Sequence, residues 1–262
     1  MSSKDQKLSN IEDIRVEIDR VDNLLLELIA KRMELAGQVR KVKSGVRLWR
    51  PSREHSLVKD LAEASDGTPA NLVARIWAEL MSASCALQGT MKLHVSLEGD
   101  ALKNWSLVRD RFGAALPTKS YPTTSAALAA AYAEEEGVAV IPAPGGMQRW
   151  WTSLCKGGAM EDMHILTGLP RVEESDWPVA VAVATADILP SGDDMTLIAL
   201  KQPKAALDAG LNVKLRAESG EFALLSVDEF LSPGGAEIEA LQVLDPSAKI
   251  IGAIARALPE IG

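Results

Sequence analysis

The sequence predicts an all-helical first segment of about 90 residues, followed by an α/β region that reaches residue 262. Up to residue 42, apolar residues recur at alternating steps of three and four, which is the spacing of a helix that buries one face. After Met91, short apolar runs alternate with helical patterns, as in a layer of strands and helices. We predict three segments, with boundaries at 1–90, 91–203 and 204–262.

The first helix is predicted from Ser9, which opens a capping box with Glu12, to Ser44-Gly45. Its apolar positions define a seam: Ile11, Ile14, Ile18, Val21, Leu25, Leu28, Leu35, Val39 and Val42. Arg32 occupies a position of this seam, and Lys43 follows three turns later on the same helix face. Because a buried cation needs an anion to meet it, two cations on one apolar face predict a pocket for a small polyanion.

The length of this helix predicts a second copy of the chain. About 35 residues at 1.5 Å each span roughly 50 Å, which is longer than a compact domain of this size is wide. The remaining 45 residues of the first segment cannot cover so long an apolar face, so we expect a homodimer.

Two shorter helices complete the first segment. The second begins at Ser52, after Pro51, and the third has Thr68 as N-cap with Gly89 just past its end. The third is predicted to bury Val73, Ile76, Trp77, Leu80 and Met81. Polar residues then follow: Ser84 and Gln88, four apart, share a face of this helix, and Arg53 and Glu54 open the second helix. Packed together, the three helices would bring two cations, an amide, a hydroxyl and a carboxylate to one cavity.

No base is paired with a nucleophile in this set, which favours binding of a polar anion and stabilisation of charge by positioning. Cys85, Cys155 and the three histidines form no ligand cluster, so we expect neither a metal nor a cofactor. The net charge of −8 argues against nucleic acid as a partner. Locally, residues 32–53 carry seven cations against Glu34 alone, a balance that attracts small anions.

The N-terminus has no apolar leader, and the longest apolar stretch, near residues 178–186, is too short to span a bilayer. We therefore expect a cytoplasmic protein without a membrane partner. The α/β region is predicted to contain eight strands, at 92–97, 138–142, 163–167, 179–184, 195–200, 213–218, 222–227 and 249–253. Its predicted helices are at 102–112, 125–135, 146–154, 204–209 and 237–244.

Residues 11–88 resemble the all-helical chorismate mutases, in which two three-helix chains intertwine to form a dimer. The stretches that carry the resemblance are Ile14–Asp19, Leu28–Ala36, Val42-Lys43, Pro51–Glu54 and Ser84–Gln88. The resemblance implies conversion of chorismate to prephenate in phenylalanine and tyrosine biosynthesis.

The resemblance also implies a role for each candidate residue. Arg32, Lys43, Gln88 and Glu54 are the implied catalytic residues, and Arg15, Arg53, Ser84 and Arg50 the implied substrate-binding residues. Arg32 and Arg53 match residues that bind substrate carboxylates, and Ser84 one that faces a carboxylate. Lys43 and Gln88 match donors to the ether oxygen, and Glu54 the acceptor of the ring hydroxyl.

Two of these positions raise separate points. Arg15 matches a residue that reaches the partner chain's site, and it lies about 100° off the face of Arg32, in agreement with that role. Arg50 stands where the family usually has Asp, which affects the detail of the turn rather than the reaction.

Residues 91–262 resemble a degenerate prephenate dehydratase followed by an ACT-like part. Ser125–Pro142 is similar to a dehydratase helix and strand, but Ala143-Pro144-Gly145-Gly146 follows where the family has Glu-Asn-Ser. The Thr-Arg-Phe tripeptide falls on Thr196-Leu197-Ile198. This implies one dehydratase-like lobe without dehydratase activity and a truncated ACT-like part, with Gly220 in place of an Arg. Whether an aromatic amino acid acts there as effector is left open.

Three hypotheses remain from the sequence. The leading one is a chorismate mutase. The second is an isochorismate–pyruvate lyase, which shares the helical fold and much of the site. The third is a non-catalytic, amino-acid-sensing regulator whose helical part only dimerises.

Overall fold

The computed structural model describes residues 10–42, 49–65, 67–89 and 91–260, and the side chains of residues 40–42 and 88 lie outside this description. The chain divides after residue 46 into two compact units, 1–46 and 47–262. Helix α1, Ile11–Val42, belongs to the first unit. The helices α2, Pro51–Ala64, and α3, Ala70–Gln88, belong to the second.

Helix α1 confirms the predicted long first helix. Its cap differs from the prediction, because the Asn10 side chain accepts the N–H groups of Glu12 and Asp13, both at 2.9 Å. This satisfies two of the donors that a helix start leaves without a partner. The predicted cap Ser9 and the predicted end at Ser44-Gly45 lie outside the described residues.

Helices α2 and α3 pack through small and β-branched residues. Val58 and Ala62 of α2 are buried, and α3 buries Ala70, Val73, Ala74, Ala78 and Met81. The predicted buried stripe of α3 is therefore only partly correct, since Ile76 is exposed. The buried face is centred on the alanines because their small side chains allow a close approach of the neighbouring elements, and Ile76 points about 100° away from Trp77.

Among its described residues, the second unit continues with nine strands and four α-helices. They are β1 Lys92–Val95, α4 Ala101–Phe112, β2 Thr118–Ser120, α5 Thr124–Tyr132, β3 Gly137–Pro142, β4 His164–Leu169, β5 Ala180–Ala184, β6 Asp194–Leu200, α6 Pro203–Asp208, β7 Val213–Ser219, β8 Phe222–Val227, α7 Ala236–Leu244 and β9 Lys249–Ala255. A 3₁₀ helix, Trp150–Leu154, lies between β3 and β4.

Two local predictions fail here for identifiable reasons. The helix predicted over 146–154 is reduced to the 3₁₀ helix, because Gly145 and Gly146 adopt φ of +140° and +54° and Gly145 pairs with Gln148 in a bridge. Strand β2 escaped prediction because it has three residues, all exposed, and so shows no apolar alternation.

All nine strands form one sheet in the order β2-β1-β3-β5-β4-β9-β6-β8-β7. Strand β9 lies between β4 and β6, parallel to β4 and antiparallel to β6. The segments predicted at 91–203 and 204–262 thus share a continuous sheet, and their division into two domains stays a prediction. The hairpin between β7 and β8 explains Gly220, which adopts φ +59° in a tight turn that closes the Ser219–Phe222 pair.

The central strands of the sheet are buried on both faces. Along β3, Val138 and Val140 join one apolar cluster, whereas Ala139 and Ile141 join the other. This two-sided burial is why the central strands appear in the sequence as continuous apolar runs without alternation.

Helices α2 and α3 pack directly on this α/β region. Gly113 ends α4 with φ +67°, and a Cβ at that position would lie 2.7 Å from the Cβ of Ser82 in α3. Val58, Ala74 and Met81 form an apolar cluster with Leu258 from the end of the chain. The two shorter helices of the first segment therefore share a core with residues far beyond residue 90.

Candidate active site

Helix α1 carries two of the candidate residues. Arg15 is exposed and pairs with Glu12 at 3.4 Å, one helical turn away. Arg32 is partly buried, whereas the apolar residues of the seam that the structure describes are exposed, Leu28 to 67 %. Both arginines belong to the unit formed by residues 1–46. An exposed apolar seam of this length is what the sequence predicted for a helix that requires a partner.

Two candidates fall outside the description. Lys43 lies outside the described residues, and so does the side chain of Gln88, although its backbone ends α3. Their roles therefore stay predictions.

The turn before α2 places Arg50 and Arg53. Pro51 occupies the first turn of the helix, where its missing N–H costs nothing, and the Arg50 carbonyl accepts the N–H of Glu54 at 3.1 Å. The Arg50 side chain makes no capping hydrogen bond. Arg53 is exposed, so its guanidinium is accessible to an anion.

Glu54 points inward and meets two buried arginines of the α/β region. The Nη1 of Arg111 lies 2.9 Å from Glu54 Oε2, and the Nη2 of Arg171 lies 3.8 Å from the same oxygen. The side chains of Arg111 and Arg171 are 1 % and 2 % exposed, against 16 % for Glu54. Arg171 Nη1 also donates to the Glu54 backbone carbonyl at 3.3 Å, so side chain and backbone are held together.

Neither of these arginines is predicted from the sequence as a site residue. One signal was available for Arg111, which lies three residues after Val108 in the buried stripe of α4 and so interrupts an apolar face as Arg32 does in α1. Arg171 follows β4 in a loop, where no periodicity marks burial.

The electrostatics of this cluster follow from burial and from an excess of positive charge. Burial and the neighbouring Arg111 lower the pKa of Arg171 to about 9, with Glu54 opposing the shift. Burial lowers the pKa of the adjacent His55 to about 3, and Arg171, Arg111 and Lys59 act in the same direction. His55 is therefore neutral at pH 7, and the cluster holds two cations and one anion.

Ser84 is buried in α3 and its Oγ donates to the Leu80 carbonyl at 2.7 Å. Cys85, the next residue, lines a small cavity together with Trp49, Glu54, Met81 and Arg111. Glu54 and Cys85 thus line one cavity, whereas Arg53 lies on the exposed side of α2. The predicted convergence of Arg32, Lys43, Glu54, Ser84 and Gln88 on one site stays a prediction.

Chemically, the exposed guanidinium of Arg53 can bind an anion. The Glu54 carboxylate, which two arginines hold in place, can accept a hydrogen bond. Among the described residues, no group of three or more His, Cys, Asp or Glu side chains is arranged to hold a metal ion. None of the helices described is long and apolar enough to cross a membrane.

Comparison with known proteins gives a family match over the predicted helical segment. Residues 14–89 match the family model for chorismate mutase type II, a range that contains every candidate residue from Arg15 to Gln88. The match covers most of the predicted helical segment and less than a third of the chain.

Two curated relatives agree with this match. A T-protein from Haemophilus influenzae is 36 % identical over 80 residues, which are 29 % of this chain and 21 % of that protein. A bifunctional chorismate mutase/prephenate dehydratase from Pseudomonas aeruginosa is 33 % identical over 101 residues, 36 % of this chain and 27 % of that protein. The chain thus matches only about a fifth to a quarter of the length of these relatives.

Among solved structures, a prephenate dehydratase in complex with L-Phe from Arthrobacter aurescens is similar to 63 % of this chain and 90 % of its own, with a TM-score of 0.48 and 12 % identity. A prephenate dehydratase from Streptococcus mutans is similar to 64 % of this chain and all of its own, with a TM-score of 0.46 and 13 % identity.

Proposed function

We propose that this protein is a chorismate mutase that converts chorismate to prephenate. The observation that carries the proposal is the family match over residues 14–89, since this one stretch contains all eight candidate residues. The partial match to a bifunctional chorismate mutase/prephenate dehydratase supports the same activity.

The residue types suit this reaction. Chorismate rearranges in one pericyclic step that needs no acid, base or nucleophile. An enzyme must hold the dicarboxylate in its compact conformer and stabilise the negative charge that grows on the breaking ether oxygen. In this proposal Arg32 and Arg53 bind the carboxylates and Ser84 faces one of them. Lys43 and Gln88 donate to the ether oxygen.

We propose that the active form is a homodimer and that Arg15 serves the site of the partner chain. The exposed seam of α1 supports the dimer, because a row of exposed Ile, Leu and Val side chains over eight turns is costly in water. In the same proposal Glu54 accepts a hydrogen bond from the ring hydroxyl, and Arg50 contributes to the substrate-side turn.

The test is turnover by the purified full-length protein, followed as loss of chorismate absorbance without added metal or cofactor. Isochorismate as a second substrate separates the mutase from an isochorismate–pyruvate lyase, which would release pyruvate. Absence of turnover with both substrates would overturn the enzyme proposal and leave the non-catalytic regulator. Adding phenylalanine or tyrosine to the same assay tests whether an aromatic amino acid is an effector of residues 204–262.

A further inference from the structure

The Glu54 carboxylate is anchored on one oxygen only. Both arginine contacts go to Oε2, and no hydrogen bond or ion pair to Oε1 is formed by the described residues. Arg111 is itself fixed, because its Nε donates to the buried Thr167 hydroxyl at 3.3 Å and its guanidinium lies 5.3 Å from the ring centroid of Phe112. Oε2 is thus held by groups that cannot easily move.

We propose that Arg111 and Arg171 are positioning residues for the mutase reaction, which orient the Glu54 carboxylate so that Oε1 can accept the substrate's ring hydroxyl. The inference rests on the proposed function. It makes the α/β region a supporting part of the mutase site, although the sequence match to mutases ends at residue 89.

Stability alone is a poor explanation for this cluster. The free-energy cost of desolvating two buried cations and one carboxylate exceeds the electrostatic attraction that one ion pair recovers. Replacing buried charges by apolar residues is often neutral or stabilising. The cluster is also incompletely satisfied, since Arg111 Nη2 and Arg171 Nε and Nη2 have no hydrogen-bond partner among the described residues. A network retained only for stability would be expected to satisfy its buried donors.

The location of Glu54 supports a role toward substrate. Its side chain keeps 16 % exposure while both arginines are almost fully enclosed, so the carboxylate is the accessible member of the cluster. Two buried arginines hold this partly exposed carboxylate, so its rotamer is fixed before the substrate binds. A fixed rotamer lowers the entropic cost of orienting the carboxylate toward the substrate.

A double-mutant cycle tests the proposal in the full-length protein. We expect Arg111→Met to lower kcat/KM for chorismate by about tenfold in the native background. In a Glu54→Gln background the same substitution should change kcat/KM by less than about twofold, because a residue that acts through Glu54 has nothing left to position. Arg111→Lys, which keeps the charge, should recover part of the loss.

Controls separate positioning from folding. Arg109→Met removes an arginine of the same helix that pairs with exposed Glu79 at 3.5 Å and is itself 45 % exposed, and it should leave kcat/KM unchanged. Circular dichroism and melting temperature show whether each variant is folded. If Arg111→Met does not fold, Arg171→Met and Arg111→Lys are compared in the same cycle.

An equal loss in both backgrounds would show that Arg111 acts structurally and would overturn the proposal, as would a folded Arg111→Met variant with native kcat/KM. An unmodified protein without turnover is a different result, since it would contradict the proposed function itself.

Discussion

Arg32 and Lys43 are the residues on which the proposed reaction depends most. Arg32 lies on α1, and Lys43, which lies outside the described residues, is predicted from the sequence to share its helix face. Loss of a preorganised charge-stabilising donor costs about 3 kcal/mol or more. We expect Arg32→Ala and Lys43→Ala each to lower kcat/KM by roughly two or more orders of magnitude in the chorismate assay. Lys31→Ala is the matched control, because Lys31 is 61 % exposed and pairs with Glu34. An equal loss of kcat/KM in this variant would contradict a specific role of Arg32 and Lys43.

Gln88 gives a prediction about pH. In the proposed mechanism the amide of Gln88 donates a hydrogen bond to the ether oxygen. A carboxyl at the same position can donate such a bond only when it is protonated. Gln88→Glu should therefore be more active in acid than at neutral pH, whereas the native enzyme should show no such rise. A pH profile of kcat/KM that is equally flat for both proteins would show that residue 88 does not contact the reacting oxygen.

His55 predicts how stability depends on pH. Burial lowers its pKa to about 3 in the folded protein, against its usual 6.5. As pH falls, the unfolded chain is protonated at His55 before the folded protein is. The contribution of neutral His55 to the free energy of unfolding is therefore present above about pH 6.5 and is lost below it, by at most about 1.4 kcal/mol per pH unit. Urea unfolding of the native protein and of His55→Asn, between pH 7 and 5, should show a steeper loss for the native protein; parallel curves would contradict this.

At the scale of elements, helical periodicity predicted α1 and α3, because one apolar face leaves a period in the sequence. Continuous apolar runs predicted most strands, because burial on both faces removes the alternation. What periodicity could not predict was the partner of a buried charge. Glu54 is predicted to lie in a site with residues of its own segment, and among the described residues it also pairs with Arg111 and Arg171, 57 and 117 residues away. Such long-range pairs leave no local spacing to detect.

The seam of α1 predicts the oligomeric state. If a second chain covers it, a carboxylate at its centre would be buried without a partner, which costs several kcal/mol. We expect Leu28→Asp to weaken the dimer and to lower activity with it, as measured by sedimentation velocity and the chorismate assay. Asn23→Asp places the same charge on an exposed residue outside the seam and should remain dimeric. A native protein that is monomeric and fully active would contradict the dimer.

Mixing of variants gives a second test of the same dimer. Arg15→Ala and Arg32→Ala chains should each be weakly active alone. If Arg15 serves the partner's site, hybrid dimers contain one intact site, so mixing followed by subunit exchange should recover part of the native activity. No recovery despite demonstrated exchange would show that Arg15 and Arg32 act within one chain.

At the scale of the whole molecule, helices α2 and α3 are joined to the α/β region by packing and by charge. Val58 and Met81 share a cluster with Leu258, Lys59 pairs with Asp193 at 3.2 Å, and Glu54 pairs with Arg111. Residues 1–90 hold every residue that the proposed reaction uses, but α2 and α3 bury their apolar faces against residues beyond 90. The sequence boundary of the mutase segment is therefore not a boundary of packing.

The positions of β6 that resemble the dehydratase tripeptide carry buried side chains. The Thr196 hydroxyl donates to the Glu229 carbonyl at 2.6 Å and accepts the N–H of Leu231 at 2.8 Å, and Thr196 is fully buried. Leu197, where the dehydratase pattern has an Arg, is also fully buried in an apolar cluster. Thr196 thus holds the segment after β8, and neither side chain can bind a dianion.

We therefore expect the full-length protein to form no phenylpyruvate from prephenate above the spontaneous rate at neutral pH. Loss of the carboxylate and the ring hydroxyl requires that the hydroxyl be protonated or stabilised as it leaves, and residues 91–262 carry nine more acidic than basic side chains, which disfavours binding of a dianion there. The measurement is phenylpyruvate absorbance with purified protein and prephenate. Formation above the spontaneous rate that Thr196→Val abolishes, in a variant that remains folded, would assign a dehydratase site to β6 and overturn this expectation.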